Sequence, residues 1–241
     1  MGEEFCWEEL SPSLFICVSS AHKFGTDAFL LSDFAAPRRK DLCCDLGTGC
    51  GIIPLLWFRD DPPRLCYGAD IQKQAIEQLE QSIQKNGLKN RFIPLLTDLK
   101  ELSSLPCGPL DLVTCNPPYK EQDSGILSET DAERIARHEV LCTIEDVCQA
   151  ASRLLRFGGR LCLCQRPERL CDTLCAMRSA GIEPKRVRFV QQRPASAPWL
   201  FLVEGKKGSK PYMTVEPPLL VEGEGGFSQE ILRIYHKKEN L

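Results

Sequence analysis

Histidine is scarce, three in 241 residues (His22, His138 and His236), and none of the 14 cysteines stands in a Cys-x-x-Cys pair. Both absences argue against a structural zinc centre, whose ligands come as closely spaced Cys and His, and no metal is expected. Cys43, Cys44, Cys66, Cys115, Cys162 and Cys164 sit instead inside apolar, strand-like runs, the pattern of small buried thiols in a reducing compartment. No apolar run approaches the ~20 residues of a bilayer span, and the first residues carry no secretory pattern. A cytoplasmic protein with no membrane partner is therefore expected. Internal repeats and low-complexity linkers are missing too. The length suits one domain over 1–241, with a flanking segment (1–40), a core (41–205) and a C-terminal extension (206–241).

Charge is nearly balanced overall, at −3, but unevenly spread. Residues 1–150 hold 14 Lys+Arg against 24 Asp+Glu, a net −10, whereas residues 151–215 hold 13 against 4, a net +9. A block of that kind can steer a polyanion or be a merely solvated basic face, and charge alone leaves both open.

Short apolar runs alternate with amphipathic helices. Strands are expected at 41–47, 64–70, 91–98, 110–116, 160–165, 185–191 and 199–204. Helices are expected at 52–60, at 72–86 (ended by Asn86-Gly87), from Thr143 with Asp146 in a capping pair to a stop at Gly158-Gly159, and from Pro167 to Gly181. The alternation predicts an α/β fold of Rossmann-like type. It would have seven strands, mostly parallel, with helices on both faces and the last two strands antiparallel at an edge. The polar stretch 120–140 is too long for an ordinary connection and reads as a mobile or binding loop.

In such folds ligands gather beyond the carboxyl ends of the strands. There the sequence places DLGTGCG, with Gly47, Gly49 and Gly51. A dinucleotide fingerprint would need its third glycine at position 52, which is Ile52. A glycine turn led by an acid, Asp45, suits a ligand that brings positive charge close to the backbone, as S-adenosylmethionine does. Asp70, closing the second strand, is placed to accept from ribose hydroxyls, and Asp98, after the third, from an adenine amino group. The fourth strand runs into Asn116-Pro117-Pro118-Tyr119. The prolines make a rigid bend whose amide, carbonyls and ring suit a planar group carrying N–H donors.

These motifs resemble the class I S-adenosylmethionine-dependent methyltransferases, NPPY being typical of those that modify exocyclic amino or amide nitrogens. KFGTDAFLLSDF (23–34), ARHEV (136–140), QRPERL (165–170) and PPLLV (217–221) are similar to the bacterial tRNA(Val) adenine-N6 methyltransferase family. The resemblance implies that Asp45, Gly47, Thr48, Gly49, Gly51, Asp70, Ile71, Asp98, Leu99 and Asn116 hold S-adenosylmethionine. Thr26 and Asp27 would border its methionine end, unless they only cap a helix. It implies methyl transfer at Asn116, Pro117, Pro118 and Tyr119. The Asn116 side-chain oxygen and the Pro117 carbonyl would accept the two amine N–H groups while Tyr119 stacks on the base. His138 is either functional or a structural hydrogen-bonding group. The expected partner is tRNA, met near the anticodon by the basic block: Arg166, Arg169, Lys185, Arg186, Arg188, Arg193, Lys206, Lys207 and Lys210. No obligate protein partner is implied.

Alternatives are a protein glutamine methyltransferase, made less attractive because only 44 residues precede Asp45, a DNA adenine methyltransferase, and an RNA-binding module without activity.

Overall fold

Among the described residues, a nine-stranded sheet organises the chain. The computed structural model describes residues 5–19, 24–117 and 142–236. Seven long strands form the body: β3 (Leu42–Leu46), β4 (Leu65–Asp70), β5 (Phe92–Leu96), β6 (Leu110–Cys115), β7 (Leu155–Gln165), β8 (Ile182–Gln191) and β9 (Pro198–Lys207). Their order is β5-β4-β3-β6-β7-β9-β8. The first five are parallel, and β9 lies antiparallel between β7 and β8. The α/β class, the seven strands and the antiparallel pair agree with the sequence reading. Two short strands, β10 (Thr214–Val215) and β11 (Leu219–Leu220), then pair in parallel with β8, so the C-terminal extension completes the sheet's edge.

Strand alternation divides the core between the two faces. Cys43, Cys66, Leu112 and Cys162 face one side, which is covered by α1 (Thr26–Ala35), α2 (Ile52–Arg59), α3 (Lys73–Lys85) and α6 (Gln229–Ile234). Their neighbours Cys44, Tyr67, Val113 and Leu161 face the other, under α4 (Ile144–Leu154) and α5 (Leu170–Ser179). The strand cysteines thus act as small hydrophobes, and burial pushes the thiols of Cys43, Cys44 and Cys66 well above their usual pKa.

Local chemistry explains the helix ends. Thr143 Oγ1 accepts from the Asp146 amide (3.2 Å) and the Asp146 carboxylate from the Thr143 amide (3.0 Å), a reciprocal cap opening α4. The far end differs from expectation: α4 stops at Leu154 and the next residue already begins β7. Gly158 and Gly159 lie inside that strand, where the register against β6 shifts between Leu110 and Leu112. A side chain at 159 would meet the Leu110 carbonyl at 2.8 Å, so the pair serves a close strand approach rather than a helix stop.

An N-terminal hairpin, β1 (Cys6–Ser11) with β2 (Leu14–Val18), docks on α3. Asn86 at the end of α3 accepts from the Phe15 amide (2.9 Å) and donates to the Phe15 carbonyl (2.6 Å), imitating a strand partner. No helix among the described residues is long and apolar enough to cross a membrane.

Candidate active site

Because β5, β4, β3 and β6 are adjacent and parallel, their carboxyl ends bring Asp98, Asp70, Asp45 and Asn116 to one end of the sheet in that order. The turn after β3 is tied to β4. Thr48 N donates to the Ala69 carbonyl (3.0 Å) and Gly49 N to Asp70 Oδ2 (2.9 Å), while Gln72 N donates to Asp70 Oδ1 (2.9 Å). Each Asp70 oxygen has thus accepted one amide and keeps acceptor capacity, which suits a pair of hydroxyls.

Gly47 and Gly49 take left-handed φ values of 66° and 55°, and a Cβ on either would enter space with no atom within 4 Å. Gly51 differs. A Cβ there would stand 2.5 Å from Leu79 Cδ1, so this glycine lets α2 approach α3 and does not face the opening. The loop therefore has glycines for two reasons, open room above and close packing below.

Asp45 is buried at 1% exposure, and its Oδ1 accepts from Thr114 Oγ1 at 2.6 Å. Burial raises its pKa to about 7, against the opposing hydrogen bond from Thr114. The Thr48 hydroxyl also favours the ionised form, but it falls short of hydrogen-bond geometry. Asp45 Oδ2 and Thr48 Oγ1 are both buried without a partner among the described residues. Two orphaned polar atoms under an open glycine turn fit a polar or cationic ligand above them. Ile71, 45% exposed immediately after Asp70, gives an apolar surface beside the carboxylate. Asp98 and Leu99 are half-buried, and Asp98 Oδ1 accepts from Lys100 N at 2.8 Å.

Asn116 sits directly past β6. Its Nδ2 donates to Asp27 Oδ2 at 3.3 Å, and its Oδ1 accepts from the Cys164 thiol at 3.1 Å. Thr26 and Asp27 open α1, but its N-cap is Gly25 and no side chain caps it. Asp27 therefore turns to Asn116, 89 positions away, and not to its own helix. Sequence reasoning missed Thr114 and Cys164. The only sequence signal for them is strand alternation, Thr114 standing two before Asn116. The C-terminal extension reaches this end as well: Tyr235, stacked on Phe29 at 4.3 Å, lines with Thr26, Phe227 and Ile231 a cavity of about 240 Å³. Lys23, Pro118, Tyr119, the loop expected over 120–140 and its His138 lie outside the described residues. Among the described residues no group of His, Cys, Asp and Glu is arranged to hold a metal ion.

The basic block is in large part internal bracing. Arg160 and Arg186 share Glu204 (3.0 and 3.2 Å), and Arg186 also pairs with Glu216 and lies over the Phe34 ring. Arg188 makes a two-pronged pair with Glu230 (2.6 and 2.8 Å), and Arg193 meets Glu222 at 2.6 Å. Register sorts the rest. Cys115 pairs with Leu163, and Gln165 with Phe201, so Arg166, Arg169 and Arg193 follow strand ends on the Asn116 side. Lys206 pairs with Arg160 and Lys207 with Ile182, towards the opposite end of the sheet. Lys185 donates to the Lys210 carbonyl there.

Residues 18–177 match the family described as Methyltransferase small domain. A tRNA1(Val) (adenine(37)-N6)-methyltransferase of Parabacteroides distasonis is 29% identical over 185 residues, 76% of this chain and 76% of that protein. One of Tolumonas auensis is 28% identical over 218 residues, 89% of this chain and 88% of that protein. The crystal structure of a predicted O-methyltransferase from Agrobacterium tumefaciens superposes with a TM-score of 0.68 at 20% identity, over 89% of this chain and 99% of that one, a likeness of fold.

Proposed function

We propose, from the premise that this chain belongs to the methyltransferase small domain family, that it transfers a methyl group from S-adenosylmethionine to the exocyclic N6 of an adenine in tRNA, near the anticodon. The reading is supported by the names of the relatives from Parabacteroides and Tolumonas. The observation that carries it is the juxtaposition at the strand ends. An asparagine with an oriented carboxamide stands one strand from a glycine cradle whose buried acid has one oxygen, Asp45 Oδ2, without a partner among the described residues.

Thr26, Asp45, Gly47, Thr48, Gly49, Asp70, Ile71, Asp98 and Leu99 would hold the cofactor. Bound there, S-adenosylmethionine supplies an electrophilic methyl group on a cationic sulfur. The chain's part is to make a poor nucleophile competent. An adenine N6 lone pair is delocalised into the ring; acceptors at Asn116 Oδ1 and the Pro117 carbonyl, one for each N–H, favour a pyramidal nitrogen with its lone pair free. The N–P–P sequence fixes these acceptors before substrate arrives. Tyr119 would stack on the base, worth roughly 1–3 kcal/mol towards the cost of extruding it. No metal is needed, since the reaction asks for orientation and not for an activated water. Arg166 and Arg169, on the Asn116 side, are the basic residues best placed for phosphate.

Incubating the protein with radiolabelled cofactor and total tRNA, beside total protein extract, tests the reading. Label in N6-methyladenosine is expected; label in glutamine of protein, with none in tRNA, would overturn it.

A further inference from the structure

We propose that Asp27 is a positioning residue that, together with the Cys164 thiol, holds the Asn116 carboxamide in the one orientation that accepts a substrate N–H. The proposal deepens the amino-methyl-transfer reading and rests on it.

A primary amide is nearly symmetric in shape but not in chemistry. Rotated by half a turn, Asn116 would present an NH2 where the reaction needs an acceptor, donor facing donor. Two chain segments converge on Asn116 to prevent this. The Asp27 carboxylate, from the first turn of α1, can only accept, so the amide NH2 must face it, as observed at 3.3 Å. The Cys164 thiol, near the end of β7, donates to Oδ1 at 3.1 Å from the other side. In the flipped state the amide oxygen would meet a carboxylate, losing that bond and adding a repulsion, while the thiol sulfur would accept only weakly from the NH2. A carbonyl oxygen has two acceptor directions, and the thiol takes one of them. The carboxylate also draws on the amide N–H, which leaves more negative charge on Oδ1 and strengthens it as an acceptor.

The local sequence keeps Asp27 available for this. A residue in the first turn of a helix commonly serves that helix's own amides, yet α1 starts at Gly25 with no side-chain cap. Gly25 has φ −112°, open to any residue, but a Cβ there would stand 2.6 Å from Asp27 Oδ1. Glycine at 25 is thus explained by the carboxylate it must not displace.

The competing role for Asp27 is a direct contact to the methionine end of the cofactor, and the two separate in the kinetics. Asp27→Ala is expected to lower turnover at saturating cofactor by on the order of 10²-fold, with the cofactor dissociation constant within about threefold of the parent. Asp27→Asn keeps an acceptor but loses the charge, and should cost about tenfold. Gly25→Ala, which deletes neither side chain but crowds the Asp27 carboxylate, should fall between the two. Cys164→Ala removes the thiol donor and should lower turnover by less than Asp27→Ala does, and Cys164→Ser, which restores a donor, should recover part of that loss. A loss of cofactor affinity in Asp27→Ala that matches the loss in kcat/KM, with kcat intact, overturns the proposal.

A second readout needs no substrate. In protein labelled with 15N at asparagine, the Asn116 side-chain NH2 resonances should move towards free-amide positions in Asp27→Ala, and unmoved resonances would sink the idea. If the parent protein transfers nothing to tRNA while those resonances do move, the functional reading fails and the positioning role of Asp27 stands.

Discussion

Thr114 Oγ1 donates to Asp45 Oδ1 at 2.6 Å, joining the strand that ends in Asn116 to the strand that ends in the glycine turn. Both residues are buried, so the bond works at low dielectric and adds a side-chain tie to the backbone pairing of β3 with β6.

Replacing that hydroxyl tests the tie. Thr114→Val is nearly isosteric and leaves Asp45 with no donor on Oδ1, an expected destabilisation of about 1–3 kcal/mol in urea unfolding and a further upward shift of the Asp45 pKa. Thr114→Ser should recover most of the loss. Equal midpoints for the Val and Ser variants would remove the bond from the account.

Asp45 also makes stability depend on pH. Its pKa rises from 3.8 to about 7 on folding, so between those values the folded chain holds a proton that the unfolded chain has released. The stability contribution of this group therefore falls as pH climbs through that window and levels off above 7, by up to about 4 kcal/mol. A cationic ligand favours the ionised form and opposes the trend. Thermal stabilisation by S-adenosylmethionine should grow from pH 6 to pH 8, and much less so in Asp45→Asn; a flat profile in the parent argues against charge at this position.

Asn116→Ala removes the side-chain acceptor while leaving the Pro117 carbonyl. Turnover is expected to drop by on the order of 10²–10³ with cofactor affinity near normal, as for loss of one preorganised polar contact. Steady-state kinetics with calorimetric cofactor titration checks this, and unchanged turnover would rule out the clamp.

The basic residues should divide into two phenotypes. Charge reversal at Arg166 and Arg169 should weaken RNA binding and reduce its salt slope by about one per lost phosphate contact, with little change in stability. Arg188→Ala should instead loosen α6 by breaking the Glu230 pair, a cost of about 1–3 kcal/mol, and leave the slope unchanged. Salt-dependent binding curves beside unfolding midpoints would expose the opposite pattern.

Much of this molecule was legible before any coordinates, where the physics is local. The apolar strand around Cys43 and Cys44, the Thr143–Asp146 cap and the acid-led glycine turn each declare themselves within a few residues. What was hidden depends on partners far apart in the chain. Arg186 and Arg188 look like a basic surface until Glu204, Glu216 and Glu230 are brought against them. Asp27 resembles a helix cap until Asn116 arrives beside it. Gly158-Gly159 signals a helix stop and a strand irregularity equally well, and only the β6 register decides that α4 ends earlier, at Leu154.

The insertion of β9 between β7 and β8 sets an order of events during synthesis. β8 leaves the ribosome before β9, yet it has no place on the sheet until β9 has docked against β7. Until then an eleven-residue strand stands with a bare margin of amides and carbonyls. Nascent chains cut short before Pro198 should accordingly stick to one another through β7, and a premature stop ahead of that codon would yield inclusion bodies even though every residue of the glycine cradle had been translated.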